Sequence, residues 1–182
     1  MIYATFTEEM RMLLHSMIGK KFSSYECGLD ERFFRAFVNV RINVDTLPVE
    51  LTNEEHSLPL LDGYEDMTYF SVEKVDSNFR FEPDVVTNTK VIEVNKVITS
   101  IEIVTDSISV NKGEYQITFD AALIFHMGND TLMFARDAWF SELITIKEND
   151  EYDNVFPIQE AKESWSNDGE LKVEVQRSRN KI

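Results

Sequence analysis

Cysteine is all but absent: Cys27 stands alone in 182 residues, which excludes an intrachain disulfide, and a lone thiol suits a reducing compartment. Histidine is scarce as well. His15, His56 and His126 lie far apart with no paired spacing, so no His/Cys metal-ligand pattern is present. The six glycines are scattered and form neither G-x-G-x-x-G nor a P-loop, and no G-x-S-x-G elbow offers an activated serine. No apolar run approaches the roughly 18 residues that a membrane helix needs. Residues 1–7 carry neither the basic start nor the apolar stretch of a secretion signal, and the expected location is the cytoplasm. These absences predict a protein that works without metal or cofactor, as a binder rather than an enzyme.

Positive charge is the remaining deficit. Eighteen Lys and Arg face 33 Asp and Glu, a net charge of -15, and residues 51–150 hold nineteen acids against seven bases. That field repels nucleic acid and anionic membrane and steers cationic partners inward. The apolar share is 43%, with 13 phenylalanines, which is enough core material to predict a folded chain rather than a disordered one. A single domain over 1–182 is expected at this length, with residues 177–182, including Arg177, Arg179 and Lys181, as a flexible basic tail.

Thr5-Phe6-Thr7-Glu8 reads as a capping box. Met10, Leu13, Leu14, Met17 and Ile18 then fall on one face, predicting a helix over 7–18 that Gly19 stops in the left-handed region. At Phe34 the period changes to two, and Phe34, Ala36, Val38, Val40 and Ile42 read as one face of a single long strand. Pro48, Pro59, Gly63 and several acids mark 44–66 as loop, with at most a short strand at 49–52, and a strand is expected at 68–74. Asn111-Lys112-Gly113-Glu114 and Met127-Gly128-Asn129-Asp130 read as turns on either side of the alternating run 115–125, with further strands at 131–136 and 143–147. The glycosylation-like Asn129-Asp130-Thr131 begins inside the second turn. After a polar loop over 148–154, Pro157 opens a helix that carries Ile158, Ala161 and Trp165 on one side, and Leu171, Val173 and Val175 alternate in an edge strand. Helical periods at the ends around a run of period-two segments give an α+β fold: a twisted antiparallel meander, open or barrel-like, with an N-terminal helix and a helix after residue 156.

Two clusters interleave tyrosine with carboxylates, Asp62-Gly63-Tyr64-Glu65-Asp66 and Glu148-Asn149-Asp150-Glu151-Tyr152-Asp153. Either is compatible with a solvated loop. Read as an interface, the tyrosines supply contact area and the carboxylates pair with arginines of a basic surface. The candidate contacts with a basic protein are therefore Asp62, Tyr64, Glu65, Asp66, Asp150, Glu151, Tyr152 and Asp153. Trp139 and Phe140, in the connection over 137–142, are expected to cap one end of the core. Cys27, beside Glu26, is expected to be a buried structural thiol.

Asp120-Ala121-Ala122-Leu123-Ile124-Phe125, the Gly128 turn, Phe134-Ala135-Arg136-Asp137-Ala138-Trp139-Phe140-Ser141-Glu142 and a helix ending at Trp165 together resemble bacterial immunity proteins that neutralise polymorphic or contact-dependent toxins. The resemblance implies a small, acidic, cytosolic binder that blocks a cognate toxin, of which a nuclease is one form, its carboxylates imitating the charge of the substrate phosphates. Two other classes remain open. A small-molecule-binding β-rich domain would use the aromatics to line an apolar pocket open to solvent. A carboxylate-dependent hydrolase would set two buried carboxylates of raised pKa in one cleft.

Overall fold

The computed structural model describes all residues except 31–33, 61–62, 76–80, 82–87, 137, 139 and 167–168, and only the backbone of Leu29, Asp30, Leu60 and Glu65. Strands predominate among the described residues, so the α+β class is realised as mostly antiparallel β-sheet with a few short helices. The chain opens with β1 (Ile2–Ala4), α1 (Glu8–His15), β2 (Lys21–Cys27), β3 (Leu29–Asp30), β4 (Arg35–Phe37) and β5 (Asn39–Val44). A long hairpin of β6 (Leu47–Leu60) and β7 (Gly63–Lys74) comes next, then β8 (Lys90–Val97). The second half holds β9 (Ser100–Val110), β10 (Tyr115–Met127), β11 (Asp130–Arg136), β12 (Leu143–Glu148), α2 (Tyr152–Val155), α3 (Ile158–Trp165) and β13 (Val173–Lys181).

These strands form two sheets that do not close into a barrel. The large sheet runs β13-β9-β10-β11-β12-β4-β3, with β1 parallel to the first part of β10, and the small sheet runs β7-β6-β5-β2-β8. The meander β9 to β12 follows from its turns. Asn111, Lys112 and Gly113 take φ of 49°, 61° and 99°, and Gly128 takes 69°, left-handed positions that Gly and Asn tolerate. The sheets face each other across a cluster in which Phe22 meets Phe125 edge-on at 5.1 Å and Tyr25 meets Phe134 at 5.6 Å. A fully buried phenylalanine contributes about 1.5–3 kcal/mol, so these rings are a major part of what holds the sheets together. From Phe119 to Phe125, β10 is buried on both faces. Leu123 and Phe125 point at the small sheet, while Ala122 and Ile124 join a second cluster with Tyr152, Phe156 and Ala161 of the α2–α3 segment.

Several expectations need correction. The strand expected over 34–42 breaks at Val38, whose φ is 60°, so β4 enters the large sheet and β5 the small one. The break is stable because its peptide groups are used: Val38 N–H donates to the Glu142 carbonyl, and Asn53 N–H to the Val38 carbonyl. The expected loop over 44–66 is instead β6 and the start of β7. Pro48 sits at the second position of β6, and Pro59 lies beyond Thr52, where β5 ends and β6 has one described neighbouring strand, so its missing donor is tolerated. Helix α1 is shorter than 7–18, and its cap is Thr7, whose Oγ1 accepts from Met10 N–H at 3.3 Å. Pro157 likewise caps α3 from outside. The expected basic tail is strand: β13 pairs with β9 from Val173↔Val110 to Lys181↔Glu102. Phe140 is 57% exposed and caps nothing, while Trp139 lies outside the described residues.

The N-terminus is fixed by a buried carboxylate. A bulge at Asp120 in β10 separates the part paired with β1 from the part paired with β11. There Asp120 accepts from Phe6 N–H at 2.7 Å, Thr105 Oγ1 at 2.6 Å and Arg11 at 3.2 Å. Burial raises its carboxyl above the ordinary range, and the Thr105, Phe6 and Arg11 contacts pull the other way.

Candidate functional site

The two tyrosine-carboxylate clusters end up in opposite electrostatic situations. The cluster over 148–153 leads into α2, and two of its carboxylates, Glu151 and Asp153, are met by the cations of β13. Tyr152 is fully buried, and the Arg177 guanidinium lies 4.2 Å over its ring. Arg177 also donates to Asp106 at 2.8 and 2.7 Å, to Asp153 at 2.8 Å and to the Phe156 carbonyl at 2.9 Å. Arg179 reaches Glu102 at 3.1 Å, Glu151 at 2.7 Å and Asp153 at 2.9 Å, and His126 Nε2 lies 3.2 Å from the other Glu102 oxygen. This placement follows from period two: Glu102, Asp106, Arg177 and Arg179 all project from the face of β9 and β13 on which α2 rests. Burial alone would raise the Asp153 carboxyl, but Arg179 and Arg177 hold it below its usual range. Asp150 accepts from Asn154 Nδ2 at 2.7 Å and Glu151 N–H at 2.8 Å, and these bonds lower it too.

Tyr152 therefore belongs to the core, and Glu151 and Asp153 already have arginine partners within the chain. Charge reversal there would strike the fold's own ion pairs rather than a solvated loop.

The other cluster sits at the far end of the β6–β7 hairpin. Asp62 lies outside the described residues, and of Glu65 only the backbone is described. Tyr64 is 76% exposed, and Asp66 is exposed with it. The register Glu55↔Thr68, Ser57↔Asp66 and Pro59↔Tyr64 places Glu55, Asp66 and Tyr64 on one face of the hairpin. No salt bridge among the described residues engages Glu54, Glu55 or Asp66. Residues 47–74 carry seven acids against Lys74 alone. Glu54 and Glu55 have no tyrosine interleaved with them, so the pattern that marks Asp62 to Asp66 passes them over, although the excess of acids between Pro48 and Lys74 is itself the available signal.

The hairpin is anchored at mid-length. Asn53 Nδ2 donates to the carbonyls of Ser141 and Leu143 at 2.8 and 3.2 Å, and Thr68 Oγ1 to Ser141 at 3.2 Å. The fully buried Arg136 donates to Thr68 at 3.2 Å with its guanidinium 4.9 Å over the Phe119 ring, and burial lowers it to about 10. Met67, Leu58 and Tyr69 pack into the second cluster, and Tyr69 stacks on His56 at 3.8 Å. The exposed end thus projects from a fixed base.

The groups considered for chemistry are dispersed. Among the described residues no three His, Cys, Asp or Glu side chains gather as metal ligands, and no helix is long and apolar enough to cross a membrane. The described carboxyls held above their ordinary range, Glu50 and Asp120, belong to different sheets. Cys27 is buried, and burial followed by the Glu26 charge pushes its thiol up to about 12. No protein-family model, curated protein or solved structure matches the chain.

Proposed function

We propose that this chain is an acidic binding protein that neutralises a basic protein partner, in the manner of an immunity protein blocking a cognate toxin, and that it does so through the β6–β7 hairpin. One observation carries the reading. Of the two acidic clusters, only the hairpin sets an exposed tyrosine, Tyr64 at 76%, beside exposed carboxylates without a described ion pair, Glu55 and Asp66, whereas in the other Tyr152 is buried and Glu151 and Asp153 are paired with Arg179 and Arg177. Exposed carboxylates speed capture of a cationic surface, while the tyrosine supplies contact area that screened charges lack.

The test is binding of a candidate basic toxin, sought first among the proteins encoded beside this chain, with association rates followed across salt concentrations. Association slows steeply as the Debye length shrinks from ~10 Å at 0.1 M to ~3 Å at 1 M. Glu55→Lys/Asp66→Lys lowers the association rate, and Tyr64→Ala costs about 2 kcal/mol, roughly a thirtyfold loss of affinity. Unchanged rate and affinity in folded variants would reject the hairpin, and a neighbouring toxin that does not bind would reject the immunity reading.

A further inference from the structure

The face of the large sheet that packs on the small one changes character along β9. Ile101 and Ile103 are wholly buried in the cluster between the sheets, whereas Ser107 and Ser109, further along the same face, are part-exposed. The bulge at Asp120 keeps β10 in step. Leu123 and Phe125 lie on that face on one side of it, and Thr118 and Gln116 on the other, opposite Ser107 and Ser109. Asp120, bound by Phe6, Arg11 and Thr105, marks where the apolar packing ends.

Beyond it the register lays out a trough. One rung runs Gln176, Ser107, Thr118 and Tyr3 across β13, β9, β10 and β1, and the next runs Glu174, Ser109 and Gln116. The short hydroxyl side chains therefore hold the middle, with Tyr3 and Met1 on one side and Gln176 and Glu174 on the other, around a space of about 340 Å³. The Ser107 and Thr118 hydroxyls lie 3.1 Å apart. No hydrogen bond among the described residues engages the side chains of Ser109, Gln116 or Gln176, and Tyr3 is 68% exposed. Glu174 is the one charged side chain in the lining, in a chain of which 28% is charged.

This chemistry selects an occupant. An anion would meet a net charge of -15 with no cationic side chain in the lining to receive it, and a cation would find a single carboxylate. An added peptide strand has no edge to join here, because β9 is paired by β13 and β10, and the first part of β10 by β9 and β1. Hydroxyls and amides both donate and accept, which suits a ligand whose own groups do the same. We propose that the trough binds a neutral saccharide, whose hydroxyls exchange hydrogen bonds with Ser109, Gln116 and Gln176 while an apolar ring face lies against Tyr3. The trough shares no residue with the β6–β7 hairpin and stands or falls apart from it.

Amide chemical shifts of the intact, isotope-labelled chain test this as cellotriose, maltotriose and triacetylchitotriose are added in separate titrations. Saturable shifts at Tyr3, Ser107, Ser109, Gln116 and Thr118 are expected with at least one of them, at a Kd of about 1 mM or tighter. Tyr3→Ala should weaken that binding about tenfold and Gln176→Ala about threefold, with the thermal transition in place, because both side chains are exposed. Absence of saturable shifts up to about 20 mM of all three sugars would overturn the proposal. So would saturable shifts confined to other parts of the chain, or affinities left unchanged by both substitutions. Equal binding of the peptide Lys-Lys-Lys at the same amides would make this an acidic site built on Glu174 and overturn it as well.

Discussion

Replacing Arg177 by methionine isolates the ion pairs that hold β13 to α2. The Arg177 side chain is 4% exposed, and its bidentate partner Asp106 is fully buried. Methionine keeps much of the apolar stem over Tyr152 but leaves Asp106 without that partner. Removing one member of a buried ion pair costs about 3–5 kcal/mol, because the survivor keeps its desolvation penalty. The lost contact to Asp153, which is 51% exposed, adds under about 1 kcal/mol. The Arg136 cation, which the Asp106 charge favours, shares the burden and places the cost nearer 3 than 5 kcal/mol. For a chain of this size that is a fall in Tm of roughly 6–12 °C. Equilibrium urea denaturation of Arg177→Met, Asp106→Leu and the double variant closes the cycle. Each single change should cost a similar amount, and the double variant should recover most of it, since an apolar replacement of a whole buried pair is often neutral or better. Losses that simply add, with a coupling below about 0.5 kcal/mol, would refute the reasoning and show that Asp106 is not stabilised by Arg177.

Other outcomes follow from single sites. Burial, then the charges of Glu73 and Glu54, raise the Glu50 carboxyl against the lowering hydrogen bond from Asn39. A raised folded-state value means the penalty is present at neutral pH and vanishes as pH falls through it towards the unfolded ~4.3. Glu50→Gln should therefore gain about 0.5 kcal/mol at pH 7 and lose that advantage near pH 4, read from urea midpoints. Asp120→Ala should cost about 3 kcal/mol and speed hydrogen exchange in α1 before β11, because Phe6 N–H and Arg11 lose their buried acceptor. With its thiol pushed up to about 12, Cys27 should react with an aromatic disulfide reagent only through the urea transition, and prompt labelling in native buffer would contradict its burial.

Where the sequence was legible, local chemistry and burial agreed. The turns at Asn111 to Gly113 and at Gly128 contain residues that accept left-handed backbone, and the strands beside them follow as antiparallel neighbours. Where it was not, tertiary context overrode the local signal. β2 hides its period because a bulge between Phe22 and Ser24 buries Ser24, Tyr25 and Cys27 in a broken rhythm. β8 hides because an edge strand buries little, and its apolar residues are interrupted by Glu93, Asn95 and Lys96. The 34–42 alternation is real on both sides of Val38, but period two carries no information about which sheet each half joins.

The charged residues show the deeper limit. Along the chain, Glu151, Tyr152 and Asp153 look like a loop prepared for a foreign arginine, and Arg177 and Arg179 look like a loose tail. Period two states only that Arg177 and Arg179 share a face, and likewise Glu102 and Asp106. It does not state that β13 lies antiparallel on β9 with Arg177 opposite Asp106, nor that α2 settles on that same face. Once it does, the anions left over from Asp106 and Glu102 must accept from the same two guanidiniums, and the apparent binding loop becomes the clasp of the last strand. The hairpin escapes this fate for a geometric reason. Beyond Thr52 it has outrun β5, so no described neighbouring strand of the small sheet brings cations alongside Glu54, Glu55 or Asp66, and their field is left to act on whatever approaches.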